Sequence, residues 1–172
     1  MPHLRLLIHA PGAPGLRWLG LGPGLRPARG LWKLQRLLDQ HTFWAHGRSL
    51  AQLRQMLAGS AAVVSLWNGK RLVGFGRASS DGVFRAVLWD VVIPEDLQGQ
   101  GLGRQLVTAL LDSPRLHGVE RVYLMTTNSA GFYHQLGFQD SGGQQLLVRP
   151  ASPPSGSPSQ SPAGRSSSPG CS

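Results

Sequence analysis

Apolar residues recur at Leu31, Leu34, Leu37 and Leu38, and again at Leu50, Leu53, Met56 and Leu57. Steps of three and four residues place each set on one helical face, so two helices are predicted. Ser49 followed three residues later by Gln52 is a capping-box signature for the second, and Gly59 closes it. Ahead of them, two short apolar runs, residues 4–8 and 16–21, are separated by Pro11 and Pro14 and followed by Pro23. One of these runs is expected to be the first strand. Beyond Gly59 the rhythm shortens. Runs 62–67 and 72–78 flank Asn68-Gly69, the strongest local hairpin signal, and Asp81-Gly82 marks a turn before run 84–93. Three antiparallel strands are predicted, the last ending at Pro94. Then Leu102, Leu106, Val107, Leu110 and Leu111 return to helical spacing up to Asp112, with Pro114 as the stop. A strand over 121–125, a short helix over 129–136 stopped by Gly137, and a weak strand near 144–148 complete the pattern.

The order is therefore strand, two helices, three strands, helix, strand, helix, strand. The step from strand 84–93 through a helix to strand 121–125 is a βαβ unit, which makes those two strands parallel in one sheet. The fold class expected is α/β of the α+β type, a mixed, mostly antiparallel sheet flanked by helices. A length of 172 residues suits one domain. That domain is placed at residues 1–150. Residues 151–172 are almost wholly Ser, Pro and Gly, with little apolar surface to offset the entropy of ordering them, and are expected to be a disordered tail.

Composition narrows the partners. Seventeen basic against eight acidic side chains give a net charge of +9, and all but Lys33 and Lys70 of the basic ones are arginine. An anionic partner is favoured, whether nucleic acid, an acidic surface or a phosphorylated cofactor, although compositional drift toward Arg, Gly, Pro and Ala explains the bias equally well. Cys171 is the single cysteine, so neither an internal disulfide nor a thiol metal site is expected. No apolar run long enough to span a bilayer and no secretory leader are seen, which points to a cytoplasmic protein. The acid-free, arginine-bearing stretch before Asp39 resembles an organellar transit peptide in charge, but no serine precedes Ser49, so plastid import is the less favoured expectation.

The chemistry concentrates at residues 98–103, QGQGLG, between a strand and a helix. Gly99, Gly101 and Gly103 permit tight backbone geometry, and the helix start presents unpaired N–H groups and a positive dipole end. This is an anion cradle. It is not a P-loop, because no Lys-Ser or Lys-Thr pair occurs in the chain. Nor is it a dinucleotide fingerprint, since Arg104 stands where the third glycine is required.

The segment VVIPEDLQGQGLGRQLVTALL resembles the acetyl-CoA motif of the GNAT superfamily of N-acetyltransferases, and NSAGFYHQLGF, residues 128–138, resembles the later motif of the same superfamily. The likeness covers about residues 60–140 and is closest to the cyanobacterial and plastid group that includes serotonin N-acetyltransferase-like enzymes. It implies a GNAT-like sheet whose central βαβ unit binds acetyl-CoA as co-substrate, with no metal. The CoA pyrophosphate is then expected on the backbone of Gln98, Gly99, Gln100, Gly101, Leu102, Gly103 and Arg104, as the dipole argument also suggests. By the same resemblance, the pantetheine arm adds to the strand edge at Val91, Val92 and Ile93, whose side chains are expected in the core. Tyr133 matches the family's tyrosine acid, and Asn128 the position that contacts the CoA arm, although an asparagine before a helix is equally an N-cap.

Acetyl transfer to an amine needs a neutral amine and a proton for the departing thiolate. Tyr133, with a reference pKa of about 10, keeps its proton near neutrality. Its alternative is packing beside Phe132 and Phe138. Asp90 is the candidate base: on a strand it faces the side opposite Trp89, so one of the two points at the cleft. Its alternative is a strand carboxylate paired with an arginine. Glu95, Asp96 and His134 read as surface charges, and Thr127 replaces the acidic residue that related plant enzymes tend to carry there. The expected activity is acetylation of a primary amine, either a small amine or a protein lysine or N-terminus, by a monomer or homodimer. A basic enzyme suits an acidic protein substrate better than a cationic amine. The rival is a non-catalytic CoA-, RNA- or ribosome-associated module. Against nucleic acid, no binding motif or groove-like interleaving of aromatics with arginines is present.

Overall fold

The computed structural model describes residues 3–151, so residues 152–172 of the expected tail lie outside it. The chain divides into two units, Met1–Phe138 and Gln139–Ser172, and among the described residues only the first carries regular elements. Its order is β1 (Leu4–His9), α1 (Pro14–Leu19), α2 (Gly30–His41), α3 (Leu50–Ala58), β2 (Ala62–Asn68), β3 (Arg71–Ser80), β4 (Arg85–Val92), α4 (Leu102–Leu111), β5 (Arg121–Tyr123) and α5 (Ala130–His134). The five strands lie in sequence order, antiparallel except for the parallel β4–β5 pair, as the crossover rule requires.

Of the two proline-flanked runs near the start, the first is the strand. The second is α1, a helix with Pro14 in its first turn and Gly20 closing it at φ 59°. Proline pre-sets the φ of a first helical turn and glycine accepts the left-handed conformation after the last, so residues that look like breakers delimit a short helix. Ser49 and Gln52 form the reciprocal capping box at α3. Asn68 and Arg71 pair across the two-residue turn Gly69-Lys70. The strand expected near 144–148 is not formed: no regular structure covers these residues, and Leu146, Leu147 and Val148 are exposed. Three consecutive apolar residues without alternation give a strand no single face to bury.

Both faces of the sheet are covered. On one, α1, α2 and α3 pack through Leu16, Leu34, Leu38, Leu53 and Leu57 onto Val63, Trp67, Phe75 and Val92. On the other, α4 packs through Leu106, Val107 and Leu110 onto Val64, Leu66, Val73 and Leu88. Close approach there depends on Gly76, where a Cβ would lie 2.5 Å from Leu106 Cδ2 and 2.9 Å from Leu110 Cδ1. Burying such side chains contributes roughly 1.5–3 kcal/mol each, so the two layers fix the direction in which β4 leaves the sheet.

Candidate active site

β4 is paired on both sides only at Ala86 and Val87. Arg85, Ala86 and Val87 pair with Arg121, Val122 and Tyr123 of β5, which is shorter than expected because it ends at Tyr123. From Leu88 onward no β5 partner remains, while pairing to β3 continues as far as Val92. The β5-side edge of β4 is therefore open where Val91, Val92 and Ile93 lead into the glycine loop.

A bulge re-aims this open segment. Trp89 pairs with Arg77 and Val92 with Phe75, so Asp90 and Val91 together stand opposite the single residue Gly76. Asp90 takes up the extra residue with φ 51°, a left-handed conformation in which Asp and Asn are over-represented among non-glycine residues. The bulge reverses the side-chain phase. Before it, Ala86 and Leu88 face α4; after it, Val91 and Ile93 do so, while Val92 joins the layer of α1–α3. Trp89 and Asp90 consequently do not face opposite sides, as plain alternation had suggested. Both meet Arg77, the carboxylate by a 2.7 Å bond from Arg77 Nε and the indole beneath its guanidinium, 5.9 Å from the ring centre.

Asp90 is the most buried carboxylate of this region, with its side chain 3% exposed. Its Oδ2 accepts from Arg77 Nε and, at 3.1 Å, from Arg48 Nη1. Arg48 belongs to the α2–α3 loop, and the Nε2 of Gln35 donates to its carbonyl. The pairing of a strand carboxylate with arginine is thus what the fold builds, and it joins the bulge to that loop. Arg48 and Arg77 had not been singled out from sequence. Arg77 was detectable in principle as a charge within the otherwise apolar run 72–78.

Beyond Ile93 the chain turns through Pro94, and the Gln98 side chain donates to the Ile93 carbonyl at 3.1 Å, closing the turn. Glu95 and Asp96 are exposed, as expected, and meet His41 at 2.6 Å and Arg71 at 3.5 Å. Gly99 and Gly101 have φ 75° and 78°, and a Cβ at either would meet nothing within 4 Å, so these glycines serve backbone conformation with open space beside them. Gly101 is the N-cap of α4 and offers no side-chain cap. The first intrahelical bond runs from Gln105 N–H to the Gly101 carbonyl, so the N–H groups of Leu102, Gly103 and Arg104 precede the ladder at the positive end of the helix. Leu102 itself buries its side chain in the α4 layer, while Gln100 and Arg104 are exposed.

Gly103 has a third role. A Cβ there would stand 3.2 Å from Phe132 Cζ, so its absence lets α5 sit on the first turn of α4. Tyr133 follows on α5, with ring centres 4.9 Å from Phe132 and 5.7 Å from Phe138. Burial among these rings pushes its phenol above the usual tyrosine value. Packing and acid chemistry are therefore compatible readings of one side chain. Asn128 is exposed and is not the cap of α5: Ser129 occupies that position, and its hydroxyl donates to Asn128 Oδ1 at 3.3 Å. The structure thus gathers the glycine loop, the β4 edge and Tyr133 around the first turn of α4, with Asp90 on the opposite face of the sheet. No cluster of three or more His, Cys, Asp or Glu suited to a metal is present among the described residues.

The profile of the Acetyltransferase (GNAT) family matches residues 31–138. An uncharacterized N-acetyltransferase ycf52 of Pyropia yezoensis is 36% identical over 113 residues, which is 63% of this chain and 64% of that protein. The chain thus spans less than two thirds of that relative's length. Serotonin N-acetyltransferase 2, chloroplastic, of Oryza sativa subsp. japonica is 46% identical over 69 residues, 40% of this chain and 34% of that one. Among solved structures, a GNAT-family acetyltransferase of Xanthomonas campestris superposes with a TM-score of 0.65 at 26% identity, covering 88% of this chain and 95% of that one. With the family profile spanning both the β4–glycine-loop segment and the Tyr133 segment, the chain belongs to the acetyltransferase (GNAT) family.

Proposed function

We propose that the protein transfers the acetyl group of acetyl-CoA directly to a primary amine. The observation that carries this reading is the open edge of β4 running into the free N-terminus of α4. An extended pantetheine arm can add along the unpaired β5-side edge at Val91–Ile93 as a further strand would, and one N–H there can polarise the thioester carbonyl. The pyrophosphate then meets the N–H groups around Leu102, Gly103 and Arg104, where dipole and geometry both favour an anion. CoA supplies an activated acyl group. The chain supplies orientation, an oxyanion contact and a proton, and no covalent enzyme intermediate is needed when both substrates are bound together.

Tyr133 is the proposed proton donor to the departing thiolate, since burial keeps its phenol protonated through neutral pH. Asn128, exposed just ahead of α5, is the proposed contact to the CoA arm. Asp90 enters as the group that fixes the bulge. Its Oδ2 already accepts from Arg77 and Arg48, so the amine is taken to lose its proton to water or to arrive neutral. The acceptor is an amine on an acidic molecule. Glycine max histone acetyltransferase TAP1, 33% identical over 121 residues, carries in its name a basic protein substrate, and the charge of +9 on this chain argues for a different one.

Calorimetry with acetyl-CoA, followed by assay of free CoA thiol against a panel of amines, tests this reading. Saturable binding and amine-dependent thiol release are expected. Absence of binding at millimolar acetyl-CoA would refute it, and binding without release on any amine would point to a non-catalytic CoA-binding module. Tyr133→Phe should lower turnover about 100-fold, the usual scale of general-acid catalysis, and leave acetyl-CoA affinity unchanged.

A further inference from the structure

A cavity of about 470 Å³ opens between α2 and the β2–β3 turn, and no acidic residue lines it. Four basic residues line it: Lys33 and Arg36 from α2, Lys70 and Arg71 from the turn and the start of β3. Trp32 and Leu72 supply apolar walls. Two of these cations are held in place. Lys33 Nζ donates to the Lys70 carbonyl at 2.6 Å, and Arg36 lies over the Trp32 ring, 4.9 Å from its centre. Among the described residues, only Arg71 of these four has a carboxylate within reach, Asp96 at 3.5 Å. Burial, with the charges of Lys70 and Arg29 adding to it, holds the Lys33 ammonium below the usual lysine range. An anion in the cavity would relieve that crowding.

The cavity also adjoins the segment that leads into the glycine loop. His41, on its rim, meets Glu95, and Arg71 meets Asp96, both in the turn between β4 and the loop. Two lining residues of the cavity are thus tied to the turn that leads from β4 into the glycine loop.

We propose that this cavity docks an acidic polypeptide segment, so that carboxylates beside the amine hold the acceptor for acetylation; the inference rests on the acetyl-transfer reading above. A small polyamine is repelled by a cavity lined with four basic and no acidic residues, whereas carboxylates are drawn to it. Trp32 and Leu72 receive an apolar side chain beside the acidic ones. A polypeptide is favoured over RNA because the basic residues line one concavity instead of forming a track that follows successive phosphates.

The test uses the full chain and fluorescent peptides of one length with a single reactive amine, flanked by three glutamates or by three glutamines. Anisotropy should show the glutamate peptide binding about tenfold more tightly, a difference of about 1.4 kcal/mol. Arg36→Glu combined with Lys70→Glu should abolish that preference while calorimetry finds acetyl-CoA affinity unchanged. In turnover, the double variant should raise KM for the glutamate peptide about tenfold with kcat retained. Equal binding of the two peptides, a preference that survives in the double variant, or tighter binding of a single-stranded RNA of equal charge would overturn the proposal. Thiol release from the glutamine peptide without any glutamate preference removes the docking site and keeps the acetyl-transfer reading. The preference without thiol release from any peptide removes acetyl transfer and leaves acidic docking standing.

Discussion

The two faces of the sheet meet at the end of β4 and are built on opposite principles. On the α4 face, the candidate donor site consists mainly of missing side chains and free backbone: Gly76 lets α4 approach, Gly99 and Gly101 turn the chain, Gly103 admits Phe132, and helical N–H groups point outward. On the α1–α3 face the same strand is held by charge, with the Asp90 carboxylate joining Arg48 and Arg77 at the bulge. The first arrangement leaves room for a ligand. The second fills that room with protein groups and thereby fixes the strand that the ligand would use. A cradle built from backbone works only if the backbone does not move, and the ion cluster beneath the open edge supplies that restraint.

The largest effect is expected from removing the restraint. Asp90→Ala strands two partly buried guanidiniums and should cost about 3 kcal/mol in urea unfolding, while Asp90→Asn, which keeps a residue tolerant of the left-handed backbone, should cost less. Equal losses would mean that charge contributes nothing to the bulge. Next comes the spacing of the layers. Gly76→Ala sets a methyl against Leu106 and Leu110 and should destabilise by about 2 kcal/mol through overpacking. Gly101→Ala has space but the wrong backbone sign, so about 1 kcal/mol of left-handed strain is expected, together with weakened acetyl-CoA binding. Unaltered affinity would show that the loop does not hold the anion.

The last prediction concerns pH and the face of α1–α3. Burial lowers the pKa of His9 from its ordinary 6.5 to about 4, with its Nε2 2.7 Å from the Ser65 hydroxyl. The folded state excludes a proton that the unfolded state takes up, so stability is full above pH 6.5. It should fall by roughly 1.4 kcal/mol per pH unit as pH drops from 6.5 toward 4. His9→Gln should flatten that slope in denaturation curves recorded at pH 5 and pH 7.

Much of this was legible in the chain. The capping box at Ser49, the Asn68-Gly69 hairpin and the crossover from β4 to β5 all rest on local signals, and the structure forms each of them. The QGQGLG loop was recognisable because helix-start geometry and phosphate binding are both local properties of a few consecutive residues. The short helix after Pro14 was not, because the residues that bound it also punctuate loops. Nor was the bulge: plain alternation put Trp89 and Asp90 on opposite sides, and only the pairing of two β4 residues against Gly76 shows otherwise.

The sequence by itself determined the order of elements, the parallel pair and the position of an anion cradle, because periodicity, turn chemistry and helix polarity act over neighbouring residues. Tertiary structure alone decided that Asp90 serves Arg48 and Arg77, 42 and 13 residues away in the chain, and that Lys33 and Arg36 share a cavity with Lys70 and Arg71. The reason is physical. Charge pairing and cavity formation depend on distances in space, which no local pattern encodes.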